Sequence, residues 1–158
     1  MKIINIEAIP IPIPFTQGGN STNFIAGDGH ELGHLLIKVD TDEGITGYGE
    51  AFGFNAIHTT KTAIDTLIGP LAIGRDPLKI ETLMKELAVK NHILGRYGVT
   101  MFALSGLDIA LWDIAGKTAG VPLYQLLGGL GRHEVPAYAS LLKYDDPDVC
   151  ARLTAEAL

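Results

Sequence analysis

The sequence predicts an α+β fold in which a three-stranded antiparallel meander is followed by a bundle of helices. Apolar residues alternate along residues 2–9, 33–40 and 45–51, as they do in strands with one buried face. From residue 55 onward, the apolar spacing changes to that of helices. The chain has 158 residues, of which 47% are hydrophobic and 19% are charged, so it can bury a core of ordinary size.

Turn-forming residues bound the three predicted strands. Pro10, Pro12 and Pro14 follow the first strand, and they fit an edge strand or an extended exit because proline cannot donate a ladder hydrogen bond. Residues 16–29 are rich in Gly, Asn, Ser and Thr and should form a long loop. The sequence Thr-Asp-Glu-Gly at 41–44 predicts a tight turn between the second and third strands.

The first two predicted helices begin at capping residues. Asn55 can cap a helix over residues 56–68, which Gly69-Pro70 should stop. Asp76-Pro77 places an N-cap residue before a proline at the first helical position. This pair predicts a second helix that continues as far as Leu87.

The last part of the chain predicts a buried helix and then a βα unit. Residues 99–119 are apolar on nearly all sides, and Gly120 stands where a left-handed residue ends a helix. Val121-Pro122 should start a short helix. A strand at 135–140 and a helix opened by Asp146-Pro147 then form half of a β-α-β unit, so we expect a parallel strand to follow beyond this sequence.

Composition excludes several classes of function. The formal net charge is −6 and no run of Lys or Arg occurs, which disfavours binding to nucleic acid or to an anionic membrane. A single cysteine, Cys150, excludes an internal disulfide framework and fits a reducing cytoplasm. The amino terminus lacks the continuous apolar run of a signal peptide or membrane span. We therefore expect a cytoplasmic protein.

The sequence His-Glu-x-x-His at residues 30–34 matches the zinc motif of metalloproteases, but we interpret it as accidental. That motif works on a helix, where both imidazoles lie on one face. Glycines surround it here, and the next residues alternate as in a strand. His30 and His34 would then lie roughly 13 Å apart at 3.3 Å per residue, too far to share a zinc ion. Gly-x-Gly patterns at 47–53 and 128–131 are likewise interpreted as turns rather than as a dinucleotide site.

A longer pattern carries a family resemblance. The stretch ALSGLDIALWDIAGKTAGVPLYQLLGG at 103–129 closely resembles a helix of the enolase superfamily, in its mandelate racemase/muconate lactonizing enzyme branch. LLIKVDTDEGITGYGEA at 35–51 resembles two strands of that family's capping domain, and VPAYAS at 135–140 resembles the first strand of its barrel. The resemblance implies a capping domain at 1–130. It also implies that 131–158 form the first strand and helix of a modified (β/α) TIM-like barrel, whose remainder is absent from this chain.

The resemblance also implies a chemistry and a cofactor. Family members abstract a proton α to the carboxylate of a small substrate, and bound Mg2+ stabilises the enediolate that forms. Racemases, epimerases, dehydratases and cycloisomerases, which are isomerases or lyases, share this step. The family's base and Mg2+ ligands lie on later barrel strands, so no catalytic or metal residue is assigned in this chain, and the chain alone is expected to be inactive. A homo-oligomer is also expected.

Two cap loops and the end of the first barrel strand are the segments that the resemblance places at the substrate. The loops match residues 15–30 and 51–55. The candidate contacts are an apolar wall of Phe24, Ile25 and Phe54, polar contacts from Thr16, Asn23 and His30, and a carboxylate contact from Ser140 or Lys143. Alternatively, each loop phenylalanine only anchors its loop, and Lys143 pairs with a neighbouring aspartate.

Two carboxylates in the long helix could suggest a metal site. Asp108 and Asp113 are five residues apart and so point about 140° away from each other, which prevents them from chelating one ion. We expect each instead to accept hydrogen bonds or an ion pair that fixes the helix. A different reading of the whole chain is a free-standing α+β module that binds a partner or supports assembly without catalysis.

Overall fold

The computed structural model of the protein describes residues 1–14, 31–141 and 146–157. Two compact units form: Met1–Ile11 with Gly33–Leu130, and Pro12–Leu32 with Gly131–Leu158. The strands are β1 (Ile3–Pro14), β2 (Glu31–Thr41) and β3 (Thr46–Ala51). The α-helices are α1 (Ile57–Ala63), α2 (Gly69–Ala72), α3 (Ile80–Lys90), α4 (Val99–Ala119), α5 (Leu123–Leu126) and α6 (Pro147–Ala157).

The predicted meander is confirmed as a three-stranded sheet in the order β1-β2-β3. β2 and β3 pair antiparallel, from Leu35 opposite Ala51 to Asp40 opposite Thr46. Leu35, Ile37 and Val39 are fully buried, as their alternation predicts. The turn between β2 and β3 is closed by hydrogen bonds between Thr41 and Ile45, including one of 2.8 Å from the Thr41 hydroxyl to the Ile45 carbonyl.

Asp40 links all three strands on the other face of the sheet. Its carboxylate accepts hydrogen bonds from Asn5 at 3.0 Å, from Thr46 at 2.7 Å and from Lys38 at 3.0 Å. These donors, with Asn5 foremost, lower the pKa of Asp40 below its ordinary value. The ionised form is thus the one that fits this face of the sheet.

The buried face of β1 differs from the prediction at its start. Strict alternation with Ile6 and Ala8 would bury Ile4, but Ile3 is fully buried and Ile4 is 57% exposed. The Ile3 backbone bonds to the segment before α3: its N–H donates to the Arg75 carbonyl at 2.9 Å, and its carbonyl accepts from Gly74 at 2.8 Å. This long-range pairing sets the orientation of the first residues.

The first predicted helix does not stop at Gly69-Pro70. A 3-10 turn at Phe54–Ala56 leads into α1, a π-helical segment at Ile64–Ile68 follows, and α2 continues to Ala72. The Gly69 N–H donates to the Ile64 carbonyl five residues back, and Pro70 then falls in the first turn of α2. A proline in the first turn of a helix removes no helical hydrogen bond, so the helical region continues past Pro70.

The second predicted helix begins later than its sequence suggests. The Asp76 carboxylate accepts a hydrogen bond from the Leu78 N–H at 3.0 Å, which makes a local turn. Lys79 occupies the N-cap position of α3, whose first residue is Ile80. Asp76 therefore organises the approach to the helix rather than its first turn.

The long helix α4 is confirmed at both predicted ends, and Gly120 follows it with left-handed φ 66° and ψ 24°. In the described part of the chain it is the one helix long and apolar enough to cross a membrane. Its apolar residues instead supply much of the core: Leu104, Leu107 and Leu111 are buried, and Trp112 packs against them. The composition of α4 is thus explained by its place in the core.

Glycines allow α4 to lie directly on β3. A Cβ atom on Gly106 would approach the Ala51 Cβ to 2.6 Å, and one on Gly49 would approach the Ala110 nitrogen to 2.7 Å and collide with the Gly106 carbonyl oxygen. Gly47 faces Ala110 and Ile114 in the same way. The Gly-x-Gly pattern at 47–49 is therefore a helix-packing feature.

The second unit contains α6, which begins at Pro147 as predicted, with the Asp146 carboxylate accepting from the Asp148 N–H at 2.9 Å. Residues 135–140, predicted as a strand, form none in this structure. A strand requires a hydrogen-bonded neighbour, and no described residue pairs with this segment.

Candidate substrate-facing segment

The segment that leaves β3, Phe52-Gly53-Phe54, is fixed by close packing and hydrogen bonds. A Cβ atom on Gly53 would lie 2.7 Å from a methyl carbon and 2.8 Å from the Cα of Ile57, so no side chain fits there. The Phe52 carbonyl accepts from the buried Thr60 hydroxyl at 3.3 Å, and the Gly53 carbonyl accepts from the Ala56 N–H at 2.5 Å. The turn is thus held from both sides by the start of the helical region.

Three aromatic rings meet at this turn. The rings of Phe52 and Phe54 are parallel, with an interplanar angle of 4° and centroids 6.4 Å apart. The Phe102 ring, from the first turn of α4, meets the Phe52 ring edge-to-face at 4.9 Å. Phe52 is 59% exposed and Phe54 is 36% exposed, so these two rings present an apolar surface to solvent at the end of β3. We call Phe52, Phe54 and Phe102 the aromatic triad.

Phe54 has an unusual backbone. Its φ is 40°, in the left-handed region that non-glycine residues adopt rarely and at a cost of about 1–3 kcal/mol. Such strain persists only where the surroundings impose it. Here Ile57 fills the space beside Gly53, and the Phe54 ring stacks on Phe52. Residues 51–55 thus comprise the end of β3 and the start of a 3-10 turn, and the substrate-facing role of this segment stays a prediction.

Two of the eight candidate site residues lie within the described structure. Phe54 belongs to the first compact unit, and Ser140 is an exposed residue of the second. Thr16, Asn23, Phe24, Ile25, His30 and Lys143 lie outside the described residues. The roles of all eight stay predictions. Phe52 and Phe102 are not among the candidates, because they are 50 residues apart and only folding brings their rings together.

The His-Glu-x-x-His motif does not form a helical zinc site. Glu31 to His34 belong to β2, as the glycines and the alternation predict. His34 Nδ1 lies 2.6 Å from Glu50 Oε1, on the neighbouring strand β3. The imidazole is thus engaged in a cross-strand pair. Among the residues that the structure describes, no three His, Cys, Asp or Glu side chains lie close enough to hold a metal ion. These residues do not fit a Mg2+ site, and we assign no metal chemistry to them.

Asp113 fixes α4 to the edge of the sheet, as predicted. Its Oδ2 accepts from the Tyr48 backbone N–H at 2.8 Å and from Lys117 Nζ at 2.6 Å. Lys117 also donates to the Thr46 carbonyl at 2.8 Å and lies 5.1 Å from the centroid of the Tyr48 ring. The interaction joins the helix to β3 through one carboxylate and one ammonium group.

Asp108 differs from the expectation, since no described residue hydrogen-bonds to its carboxylate. Partial burial raises its pKa above the ordinary value. A raised folded-state pKa favours folding below the unfolded pKa, near 3.9, and this contribution is lost as the pH rises through the folded pKa. At neutral pH the charge on Asp108 therefore opposes folding of this chain.

We predict that Asp108→Asn raises the urea midpoint of this chain at pH 7 and that the gain shrinks at about pH 4. The substitution keeps the side-chain shape and removes the desolvated charge. Asp113→Asn is the matched control on the same helix, and it should lower the midpoint because the Lys117 pair is lost. A midpoint lowered by both substitutions would contradict this reading of Asp108.

The sequence of this chain matches the profile of a known protein family. The profile of the mandelate racemase/muconate lactonizing enzyme N-terminal domain matches residues 25–128. The chain belongs to this family. The resemblance seen in the sequence is thereby confirmed, and the sheet with its following helices is the N-terminal capping domain of the mandelate racemase/muconate lactonizing enzyme family.

Two relatives of this capping domain are named as a D-galactonate dehydratase and as a member of that family. A D-galactonate dehydratase family member of Musicola paradisiaca is 43% identical over 116 residues, which are 72% of this chain and 27% of that protein. The D-galactonate dehydratase of Xanthomonas euvesicatoria pv. vesicatoria is 43% identical over 104 residues, which are 66% of this chain and 27% of that protein. The chain thus spans about a quarter of the length of these relatives.

Solved structures in the family share the fold. An enolase superfamily member from Polaromonas sp. JS666 superposes with a TM-score of 0.77 at 34% identity, covering 99% of this chain and 41% of that one. A mandelate racemase/muconate lactonizing protein from Paracoccus denitrificans PD1222, complexed with magnesium, has a TM-score of 0.69 at 28% identity, covering 85% and 32%. The capping fold is therefore shared with a magnesium-binding relative.

Proposed function

We propose that this chain is the capping part of a Mg2+-dependent acid-sugar dehydratase and that its loops select the substrate. The observation that carries the proposal is the 43% identity to one protein named as a D-galactonate dehydratase and to another named as a member of the D-galactonate dehydratase family. The exposed aromatic pair at the end of β3 supports it, since a cap that selects substrates needs a rigid surface at its loops.

The proposed reaction removes water from a 2,3-dihydroxy acid. A base takes the proton from the carbon next to the carboxylate, and the C–H electrons form a carbon–carbon double bond as the β-hydroxyl leaves. That hydroxyl departs with a proton as water, and the resulting enol becomes a 2-oxo acid. The carbanion-like intermediate requires electrostatic stabilisation, which we assign, with the base, to barrel residues outside this chain.

The cap would contribute selection and exclusion of water rather than proton transfer. Loops that close over a barrel mouth shape the pocket and exclude solvent. We place Phe54 of this chain in that wall, together with the candidates in residues 15–30, and Ser140 or Lys143 at the carboxylate. The loop that carries Phe54 is held by Gly53 packing on Ile57, so it would act as a fixed edge of the pocket.

The test is an assay of the complete protein that carries this capping domain. D-galactonate and a panel of other aldonates are supplied with Mg2+, and 2-oxo acid formation is measured. We expect dehydration of at least one aldonate, and we expect chelation of the metal by EDTA to abolish it. Size-exclusion chromatography of the same sample would test the predicted homo-oligomer.

Two outcomes would contradict the proposal in different ways. Racemisation of a 2-hydroxy acid without dehydration of any aldonate would place the protein elsewhere in the family's chemistry. No turnover of any carboxylate, with the protein folded, would favour the non-catalytic module.

A further inference from the structure

We propose that Phe102 is a positioning residue for substrate selection, acting through Phe52 to hold the ring of Phe54. The inference rests on the proposed function, because it concerns the same substrate-facing segment. It adds a role for a residue of the long helix that sequence patterns place in the core. Three observations carry it: the ring geometry, the backbone of Phe54 and the place of Phe102 in α4.

The ring geometry links the helix to the loop through one intermediate. Phe102 meets Phe52 edge-to-face at 4.9 Å, within the range in which aromatic pairs attract each other. Phe52 in turn lies parallel to Phe54 at 6.4 Å. Phe52 is more than half exposed, so few other contacts fix its orientation. Removal of the Phe102 ring should therefore leave Phe52 free to rotate.

The backbone of the loop makes the orientation of the rings consequential. Phe54 has φ 40°, a conformation that its neighbours must impose. Ile57 fills the space in which a Gly53 side chain would lie, so the main chain has little room to move toward the helix. The main chain at this turn is thus more constrained than the side chains of Phe52 and Phe54, which retain rotational freedom. Their stacking determines which face the loop presents.

The place of Phe102 in α4 gives it a rigid support. The Phe102 N–H donates to the Gly98 carbonyl at 3.0 Å, in the first turn of the helix. Ala103 and Leu104, the next residues, are buried in the core. The Phe102 ring therefore has a fixed base in the core, from which it can hold the Phe52 ring.

The aromatic triad is suited to contact the carbon chain of a sugar acid. One edge of a polyhydroxy acid carries C–H groups, which can pack on an aromatic face, while hydroxyls and the carboxylate need polar partners. The aromatic triad offers no polar atom, so it would contact the carbon chain. Its effect should appear in substrate affinity and in selection between aldonates.

The test uses the complete protein and the aldonate that the wild type dehydrates fastest. Phe102→Leu keeps apolar volume and removes the ring, and we expect KM to rise about fivefold, the size of one aromatic-pair interaction, with kcat within about twofold. Phe102→Tyr keeps the ring and should restore KM. Met101→Leu, at the neighbouring partly buried position, is the matched control and should leave KM unchanged.

A double-mutant cycle tests whether Phe102 acts through Phe52. Phe52→Leu should raise KM to the same extent, and the double variant should be no worse than either single variant. If the two KM increases multiply in the double variant, the inference is overturned. An unchanged KM in Phe52→Leu would also overturn it. Because Phe52 is exposed, that variant should fold even if Phe102→Leu does not. A lowered unfolding temperature with unchanged KM would also overturn it. A wild type that dehydrates no aldonate would instead overturn the proposed function, and this inference with it.

Discussion

Replacement of Gly49 by alanine should destabilise the capping domain by about 3 kcal/mol or more. The added Cβ would collide with the Gly106 carbonyl oxygen and lie 2.7 Å from the Ala110 nitrogen. Both are backbone atoms of α4, so no side-chain rotation can relieve the contact. The helix would have to move away from β3, which would open the core. Urea unfolding followed by circular dichroism measures the loss as a lower midpoint.

Gly131→Ala is the matched control for this substitution. No atom lies within 4 Å of a Cβ added at Gly131, and its φ is outside the left-handed range. The unfolding free energy of that variant should equal the wild-type value within about 0.5 kcal/mol. A Gly49→Ala variant as stable as the control would show that the helix does not lie directly on the strand.

Leu111→Ala should cost roughly 2–5 kcal/mol of unfolding free energy. Leu111 is fully buried on the face of α4 that packs in the core, beside Leu107 and Ile114. Truncation removes apolar contacts and leaves a cavity that the rigid helix and sheet cannot close. The measurement is again a urea titration, with the slope compared with wild type to check that two-state behaviour is kept.

Ile109→Ala on the same helix separates this cavity effect from helix propensity. Ile109 is 47% exposed, so its truncation leaves no closed cavity, and alanine is the better helix former. Its unfolding free energy should stay close to the wild-type value. Equal losses at Ile109 and Leu111 would contradict the assignment of the buried face.

The sequence predicts best the elements whose signals are local. α4 is bounded by a long apolar run and by Gly120, and both ends are found where these predict. The alternation of Leu35, Ile37 and Val39 likewise predicts the buried face of β2, because its pairing with β3 is closed by a short turn. The family resemblance at 103–129 extends this local information to the capping fold as a whole.

The sequence predicts poorly the features that depend on distant contacts. Ile3 rather than Ile4 is buried because β1 pairs with the Gly74–Arg75 backbone, more than 70 residues away. The helix passes Pro70 because a π turn precedes it. A strand at 135–140 needs a neighbour that local alternation cannot supply.

The candidate site also combines features that the sequence predicts locally with features that depend on distant contacts. The loop that carries Phe54 is predicted from the residues that follow β3, whereas its aromatic support depends on a helix residue 48 positions later. Likewise, Asp113 and Asp108 look alike in the sequence. Only their surroundings distinguish a carboxylate that joins α4 to β3 from one that is desolvated without a described partner.

We propose that this chain provides the cap of an enzyme whose reacting groups lie outside the chain. The most direct test compares the isolated 158-residue chain with the complete protein, each with Mg2+ and the same aldonates. We predict 2-oxo acid formation by the complete protein and none above background by the folded isolated chain. Dehydration or racemisation by the isolated chain would show instead that the reacting groups lie within these residues.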